Sequence, residues 1–259
     1  MQKIETYPLP DRATFQERFA KSNIPCKFEI PAPWGAHKKW SLEWLKENFG
    51  YLDVSPILYN KDDFYTKPET TRLLLSEYIS ALTSDGARKT YYLSAYNLLE
   101  HAPSLKADLE FPSYELSPRL ARIYFWMGVD GSRLHADYAD NLFAQILGRK
   151  RFQLYAPERE PSRYPCRITW YSCFSLTDYT NAASSGIPPL SEFEPDYDII
   201  VHPGEMLYLP YGWWHKVSCL DVTISVNKWW MTPQMIMKRA APRMRDLWRN
   251  RKKERIVPL

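Results

Sequence analysis

Three residues of the sequence could together bind a transition metal. His135 and Asp137 are separated by one residue, so in an extended strand both side chains point to the same side and can converge on one point. A third ligand must come from elsewhere, and His215, in PYGWWHKV, lies on a later predicted β-segment that a barrel could bring opposite them. Two imidazoles and one carboxylate on one face of an octahedron leave three positions open. That arrangement suits a non-haem iron that must bind a cosubstrate and oxygen.

The H-x-D pair is a weak signal alone, because it occurs often by chance and also serves structural roles. His202 is a rival third ligand, but it precedes a Pro-Gly pair at a predicted turn, so we expect His215 instead. His37 and His101 lie outside the core pattern, and we expect them at the surface.

The sequence around the candidate ligands resembles that of a known family. The run SRLHADYADNLFAQILGRKRFQLYAP, followed by VHPGEMLYLPYGWWHKV and VTISVNKWW, resembles the Jumonji C and cupin-like 2-oxoglutarate oxygenases, in particular the branch of asparaginyl and related hydroxylases. The resemblance spans about residues 92–230 and includes the order and spacing of several motifs. It implies a double-stranded β-helix (jelly-roll) core, with His135, Asp137 and His215 as iron(II) ligands. It also implies 2-oxoglutarate as cosubstrate, O2 as oxidant, and hydroxylation of a C–H bond with decarboxylation to succinate.

The resemblance further assigns five residues to the cosubstrate pocket: Lys150, Asn141, Asn227, Ser132 and Tyr92. Lys150 matches the basic residue that pairs with the far carboxylate of 2-oxoglutarate, and a buried carboxylate does require a compensating cation. Ser132 stands where this branch often has Thr, and Tyr92 matches a phenol donor. Two structural alternatives stay open at this point: Lys150 could be a solvated hairpin base, and Asn227 a satisfied core amide.

The substrate is less constrained by sequence than the chemistry. Tyr138, Trp126 and Arg122, with the segment 158–195, are expected on the substrate side. One group that the chain resembles hydroxylates the Kdo sugar of lipopolysaccharide precursors, which is one hypothesis. Hydroxylation of a protein side chain of the Asn or Asp type is the alternative. A histone demethylase is not expected, because no reader module or zinc site accompanies the core.

The elements that must position these residues change character along the chain. From residue 90, short apolar or alternating runs are separated by Gly, Pro, Asp and Ser: YYLSAYNL, ARIYFWMGV, NLFAQILG, RFQLYAP, YDIIVHPG, EMLYLPYG and DVTISVNKWW. This spacing predicts an antiparallel sandwich or barrel. The segment 158–195 is rich in Pro, Ser, Thr and Tyr without a period, which predicts a long functional loop.

The region before residue 90 is predicted to be mixed. A first helix is expected from about Asp11, where Thr14 and Glu17 have capping-box spacing. A second is expected over 41–50 and a third over 67–82, with short strands near residues 27–30 and 54–59.

We therefore expect a mainly β protein in three parts. An N-terminal helical and mixed layer (1–89) packs on a double-stranded β-helix catalytic core (90–232), and a basic helical tail (233–259) follows. The length of 259 residues fits one domain with short additions, and the 15% of aromatic residues favours strands.

Charge is concentrated in the tail. Residues 233–259 hold nine Lys or Arg against Asp246 and Glu254, a balance of +7, so the net charge of +4 leaves −3 for the rest. A basic amphipathic segment with Trp248 suits an anionic membrane surface. It could equally pack on the protein's own core or form a homodimer, whereas nucleic acid is not expected.

Composition sets the remaining expectations. No apolar run is long enough to span a membrane, and the N-terminal residues have no secretory apolar core, so we expect a cytoplasmic protein, peripheral to the inner membrane if the tail binds lipid. The scattered cysteines include no C-x-x-C pair, which predicts reduced thiols: Cys26, Cys166, Cys173 and Cys219. Two other classes stay open: a cupin-type metal-dependent isomerase, and a non-catalytic binding module on the same fold.

Overall fold

The computed structural model of the chain describes residues 2–58, 69–84, 91–168, 172–178 and 186–237. Strands dominate these ranges: β1 (Thr6–Pro8), β2 (Cys26–Glu29), β3 (Asp53–Val54), β4 (Ile57–Leu58), β5 (Glu69–Thr70), β6 (Leu73–Leu74), β7 (Tyr91–Tyr96), β8 (Ala121–Gly128), β9 (Ser132–Asp137), β10 (Asp140–Leu147), β11 (Lys150–Tyr155), β12 (Pro165–Ile168), β13 (Ser172–Ser175), β14 (Tyr197–Val201), β15 (Glu205–Leu209), β16 (Trp214–Cys219) and β17 (Thr223–Trp230). The α-helices are short: α1 (Arg12–Thr14), α2 (Gly35–Lys39), α3 (Leu42–Phe49), α4 (Leu75–Thr83), α5 (Leu98–His101) and α6 (Pro103–Lys106).

Two sheets form a jelly-roll core. The larger sheet has the order β1-β2-β15-β10-β17-β8-β7-β4-β5, and the smaller has the order β12-β13-β9-β16-β11-β14. The eight core strands divide equally between the sheets, with β8, β10, β15 and β17 in the larger and β9, β11, β14 and β16 in the smaller. Along the chain they alternate between the sheets except at β11 and β14, which pair with each other in the smaller sheet. This is the eight-stranded jelly-roll pattern, and the prediction of a mainly β fold with such a core is confirmed.

The larger sheet is covered on both faces, which explains its nearly continuous apolar strands. In β10, Leu142 and Ala144 pack in the cluster formed with the N-terminal helices, whereas Phe143 faces the smaller sheet. Successive side chains of a strand alternate in direction, so a strand buried on both faces shows no polar alternation. The space between the two sheets is therefore where β10 presents its inward residues.

Strands from the first 89 residues continue the larger sheet. β2 pairs with β15 at one end, and β4 pairs with β7 at the other. Hydrogen bonding thus crosses the expected boundary at residue 89, and the division into three parts stays a prediction. The expected strand near 27–30 is present as β2, and the one expected near 54–59 is replaced by the two short strands β3 and β4, with Tyr59 outside the described residues.

Two predicted helices differ from the structure. The first begins after Asp11, whose side chain accepts the Thr14 N–H, so Asp11 and not Thr14 is the cap. A π-helix then follows over Phe15–Ala20. The third was predicted over 67–82, but α4 begins only at Leu75, because β6 (Leu73–Leu74) pairs with β3 and draws this stretch into a strand. The second, α3, is confirmed, with Ser41 as its N-cap and Gly50 as its C-cap.

The prediction of a loop over 158–195 is only partly right. β12 and β13 lie within it, and β13 pairs with β9, which places Phe174 opposite His135. Short 3-10 helices also occur there: Glu160–Arg163, Leu176–Asp178 and Leu190–Glu192. The segment therefore extends the smaller sheet.

The remaining expectations concern two histidines, the cysteines, the tail and membrane-spanning helices. The expectation that His37 lies at the surface is wrong: its ring is half-buried, Nε2 contacts the Gln145 carbonyl, and burial lowers its pKa. His101 is exposed as expected. Cys26, Cys173 and Cys219 are free thiols. The tail beyond residue 237 lies outside the described residues. Among those described, no helix combines the length and apolar composition needed to cross a membrane.

Candidate metal centre

The three predicted metal ligands lie together on the inner face of the smaller sheet. His135 and Asp137 are on β9, two residues apart, and β16 places His215 directly opposite His135 in the pairing register. Their ligand atoms all lie within 4.8 Å of one another. The Asp137 carboxylate oxygens are 3.7 Å from Nε2 of each histidine. All three side chains are buried, so one ion could contact all three with little exposure to water.

Backbone carbonyls orient both imidazole rings. Nδ1 of His135 lies 2.7 Å from the Arg133 carbonyl, and Nδ1 of His215 lies 3.0 Å from the Trp213 carbonyl. A carbonyl oxygen only accepts, so each Nδ1 carries the proton and each Nε2 presents its lone pair to the centre. Burial, together with the neighbouring His135, lowers the pKa of His215 to about 4, which keeps it in the neutral form that binds metal.

The donor set fits iron(II). It contains two neutral imidazoles and one carboxylate and lacks sulfur, and the other side of the triad opens into a cavity where further ligands can enter. A facial triad with open positions is the arrangement typical of non-haem iron(II) oxygenases. The assignment of these three residues as ligands stays a prediction.

A cavity between the two sheets joins the triad to the predicted cosubstrate residues. About 350 Å³ of space lies between its lining residues, a figure that includes the solvent at its open mouth. Its lining includes every residue predicted for iron and 2-oxoglutarate, together with Trp126: His135, Asp137, His215, Lys150, Asn141, Asn227, Ser132 and Tyr92. Three of the apolar lining residues are Phe143, Phe152 and Val217.

Lys150 is the buried cation of this cavity. Its side chain is 1% exposed, which rules out the solvated-hairpin alternative. Nζ donates to the hydroxyls of Tyr92 and Ser225, each at 2.7 Å. Burial lowers the pKa of Lys150 to about 8. Within the described residues no carboxylate lies within ion-pair distance of Nζ, so an anion entering the cavity would supply the missing charge.

An amide network lines the wall beside Lys150. Trp126 Nε1 donates to Asn227 Oδ1 at 2.8 Å, and Asn227 Nδ2 donates to Asn141 Oδ1 at 3.2 Å. Asn227 is thus a hydrogen-bonded buried amide, as its structural alternative requires, and it also lines the cavity. Asn227 can therefore be both a structural amide of the core and a residue of the predicted cosubstrate pocket.

Two of the predicted substrate-side residues lie next to the cavity and not in it. Arg122 and Tyr138 line a separate apolar groove with Tyr124, and Trp229 is shared between groove and cavity. Arg122 donates to the carbonyls of Arg119 and Ala121, so its guanidinium is already engaged by the backbone. The groove therefore lies beside the cavity and shares only Trp229 with it.

Two residues of the site were missed by sequence reasoning. Ser225 holds Lys150, and Trp229 separates the cavity from the groove. Both flank Asn227 at two residues' distance in ISVNKWW, so strand alternation places all three on one face. This alternation in the sequence is the signal that could have identified Ser225 and Trp229.

Comparison with known proteins gives one family and several relatives. A model of the cupin-like domain matches residues 12–235. Lysine-specific demethylase 8 of Xenopus tropicalis is 31% identical over 230 residues, which cover 85% of this chain and 51% of that protein. Jumonji C domain-containing protein 5 of Drosophila melanogaster is 28% identical over 208 residues, 76% of this chain and 52% of that protein. HSPB1-associated protein 1 of Homo sapiens is 36% identical over 146 residues, 54% of this chain and 29% of that protein. The chain spans about half the length of the first two relatives.

Proposed function

The chain belongs to the cupin-like domain family, which includes Jumonji C proteins, and from this premise we propose that it is an iron(II)- and 2-oxoglutarate-dependent oxygenase. Jumonji C proteins use iron(II), 2-oxoglutarate and O2, the cofactors that the sequence predicts. The proposed reaction is hydroxylation of a substrate C–H bond, coupled to decarboxylation of 2-oxoglutarate to succinate and CO2. One oxygen atom of O2 enters the substrate and the other enters succinate.

One observation carries the proposal. A single cavity contains a His-Asp-His cluster and a buried lysine that forms no ion pair with a carboxylate of the described residues. A cupin-type isomerase needs the cluster but gives no reason for an unneutralised cation beside it. A binding module that lost its chemistry would be expected to have lost a ligand, and all three are present.

The residues have separate tasks in this reaction. Iron(II) with 2-oxoglutarate supplies the oxidising chemistry when both are bound. His135, Asp137 and His215 would hold the metal, and the cavity beside them would admit cosubstrate and O2. Lys150 binds the far carboxylate, assisted by the hydroxyls of Tyr92 and Ser225, and the apolar wall excludes water.

A spectroscopic test separates this proposal from its rivals. Anaerobic addition of iron(II) and 2-oxoglutarate should produce a visible charge-transfer band, and Asp137→Ala should abolish it. His215→Ala should also abolish the band, whereas His202→Ala should keep it, because His202 is exposed at a turn remote from the cluster. A wild-type protein without the band would exclude the oxygenase.

We place the substrate among proteins. The relatives named above include a lysine-specific demethylase, and another relative is named for its association with a protein. Lysine N-methyl groups are therefore candidate targets together with Asn- and Asp-type side chains. The argument against a demethylase no longer holds. That expectation relied on missing accessory modules, and this chain spans only about half of those relatives. The apolar groove beside the cavity could accept the flank of an extended peptide.

The lipopolysaccharide hypothesis rests on the basic tail, most of which lies beyond the described residues. Mass spectrometry should compare peptide mixtures, methyl-lysine peptides and Kdo-containing lipid A precursors with and without 2-oxoglutarate. We expect a peptide to gain one oxygen atom, or a methyl-lysine to be hydroxylated on its methyl group and to lose that group as formaldehyde, with matching succinate. Oxygen gain on the sugar alone would overturn the protein assignment. Co-sedimentation with anionic liposomes, compared with a chain lacking residues 233–259, would show whether the tail binds membrane.

A further inference from the structure

Strand β9 carries a β-bulge immediately before the first metal ligand. His135 pairs with His215, and Ser132 pairs with Val217. Two residues of β9, Arg133 and Leu134, therefore stand opposite the single residue 216 of β16. A bulge of this kind interrupts the regular ladder and re-aims the side chains on either side of it.

The bulge decides which side chains reach the cavity. In a regular strand, residues three apart point to opposite faces, so Ser132 and His135 could not both face inward. In this structure both line the cavity. Leu134, which lies between them, is fully buried in a separate cluster with Ala136 and Trp214 on the other face of the sheet. Without the bulge, either the predicted metal ligand His135 or the predicted cosubstrate residue Ser132 would point away from the cavity.

Asp178 contacts all three residues of the bulge, two through its buried carboxylate and one through its backbone carbonyl. Asp178 Oδ2 accepts the Leu134 N–H at 2.8 Å, and Asp178 Oδ1 accepts a hydrogen bond from Lys216 Nζ at 2.5 Å. The backbone carbonyl of Asp178 accepts from Arg133 Nη1 at 2.9 Å. Asp178 is 7% exposed and ends the short 3-10 helix that follows β13. The side chain thus takes the place of the ladder partner that the bulge denies to Leu134.

We propose that Asp178 is a positioning residue for the metal centre, acting through the bulge of β9. The inference rests on the proposed function in that it assumes a metal bound by the triad. Removal of the carboxylate leaves a buried N–H at Leu134 and a half-buried ammonium at Lys216 without their acceptor. The strand is then free to relax towards regular pairing, and a shift by one residue turns His135 or Ser132 out of the cavity.

The test measures metal binding without turnover. Full-length metal-free protein is titrated with Mn(II), and the absorption spectrum of the Co(II) form reports the ligand geometry. Asp178→Ala should weaken Mn(II) binding by about 10- to 100-fold, the usual range for residues that support metal ligands, and should alter the Co(II) spectrum. Asp178→Asn keeps an oxygen for the Leu134 N–H and should recover part of the affinity.

Asp108→Ala is the matched control. Asp108 is also buried, at 8% exposed, and it also accepts from a lysine, Lys39, and from Trp40 Nε1, but it lies outside the metal-bearing sheet. The Asp108→Ala variant should unfold at a lower urea concentration than wild type. It should keep wild-type Mn(II) affinity and the wild-type Co(II) spectrum.

Three results would overturn the inference. Wild-type Mn(II) affinity in Asp178→Ala would exclude a positioning role, and equal weakening in both alanine variants would assign the effect to general destabilisation. If Asp178→Ala does not fold, Asp178→Asn is judged by the same two criteria. A wild-type chain that binds no Mn(II) would refute the metal site, and the proposed function with it, which distinguishes that failure from failure of the inference alone.

Discussion

Replacing Lys150 with methionine should stabilise the metal-free protein against unfolding and should strongly weaken its binding of 2-oxoglutarate. Lys150 is buried, and its ammonium has only the hydroxyls of Tyr92 and Ser225 as described hydrogen-bond partners. Burial lowers its pKa from 10.5 to about 8. Since each pH unit corresponds to about 1.4 kcal/mol, the charged form costs the folded state about 3 kcal/mol.

The sign of the pH dependence follows from this lowered pKa. Below about pH 8 the lysine is charged in both states, and the folded state carries the full cost. As the pH rises from about 8 to 10.5, the folded state loses its proton first and the cost disappears. Metal-free Lys150→Met should therefore be more stable than wild type at pH 7, by about 1–3 kcal/mol once the lost hydrogen bonds are counted. The difference should shrink towards pH 10.5.

Binding of 2-oxoglutarate should change in the opposite direction. Its far carboxylate would enter the cavity of Lys150→Met without a cation, and an unpaired buried charge costs about 3–5 kcal/mol. That corresponds to affinity weaker by roughly 150- to 5,000-fold. Titration calorimetry of the Mn(II)-loaded protein measures this affinity, and urea unfolding across the pH range measures stability.

Lys228→Met is the matched control. Lys228 is also buried, but it is paired with Glu115 at 2.7 Å and donates to the Pro112 carbonyl. Its removal leaves a buried carboxylate uncompensated, so this variant should be less stable than wild type and should bind 2-oxoglutarate normally. The reasoning is refuted if Lys150→Met binds 2-oxoglutarate within a few-fold of wild type. A Lys150→Met variant less stable than wild type at every pH would refute the charge argument.

Three further outcomes follow from the geometry. Ser225→Ala removes one hydroxyl from Lys150 and should weaken 2-oxoglutarate binding by roughly five- to tenfold in calorimetry, the equivalent of about 1 kcal/mol. Gly131→Ala would place its Cβ 1.8 Å from the Val217 carbonyl oxygen, so a loss of about 1–3 kcal/mol and a lower Tm by scanning calorimetry are expected. Mn(II) at a hundred times its Kd should stabilise the fold by about 2.7 kcal/mol; a chelator should reverse this, and Asp137→Ala should show no such gain.

The core strands and the ligand cluster were predictable because their signals are local. The i and i+2 spacing of His135 and Asp137 needs only an extended backbone, and the strand runs from β7 to β17 are visible as short apolar segments between turn residues. The family motifs supplied Lys150 and the two asparagines. Their convergence in one cavity depends on the pairing of strands that sequence spacing alone does not specify.

The features that sequence reasoning missed depend on distant partners. Leu73 and Leu74 have helical spacing, but pairing with Asp53 and Val54 overrides that local preference. The bulge of β9 is visible only in the register against β16, and its support by Asp178 joins segments more than forty residues apart. Likewise, the strands within 158–195 owe their order to β9 and not to any period of their own.

The position of β17 has a consequence for how the protein is made. β17 lies between β8 and β10, and its last residue, Trp230, pairs with Ala121 at the start of β8. A growing chain therefore exposes the unpaired backbone N–H and C=O groups along β8 and β10 until the segment ending at Trp230 has left the ribosome. Such long-range closure is slow compared with local contacts. During that interval the half-built sheet is open to pairing with other chains, and assistance from chaperones would be of greatest value then.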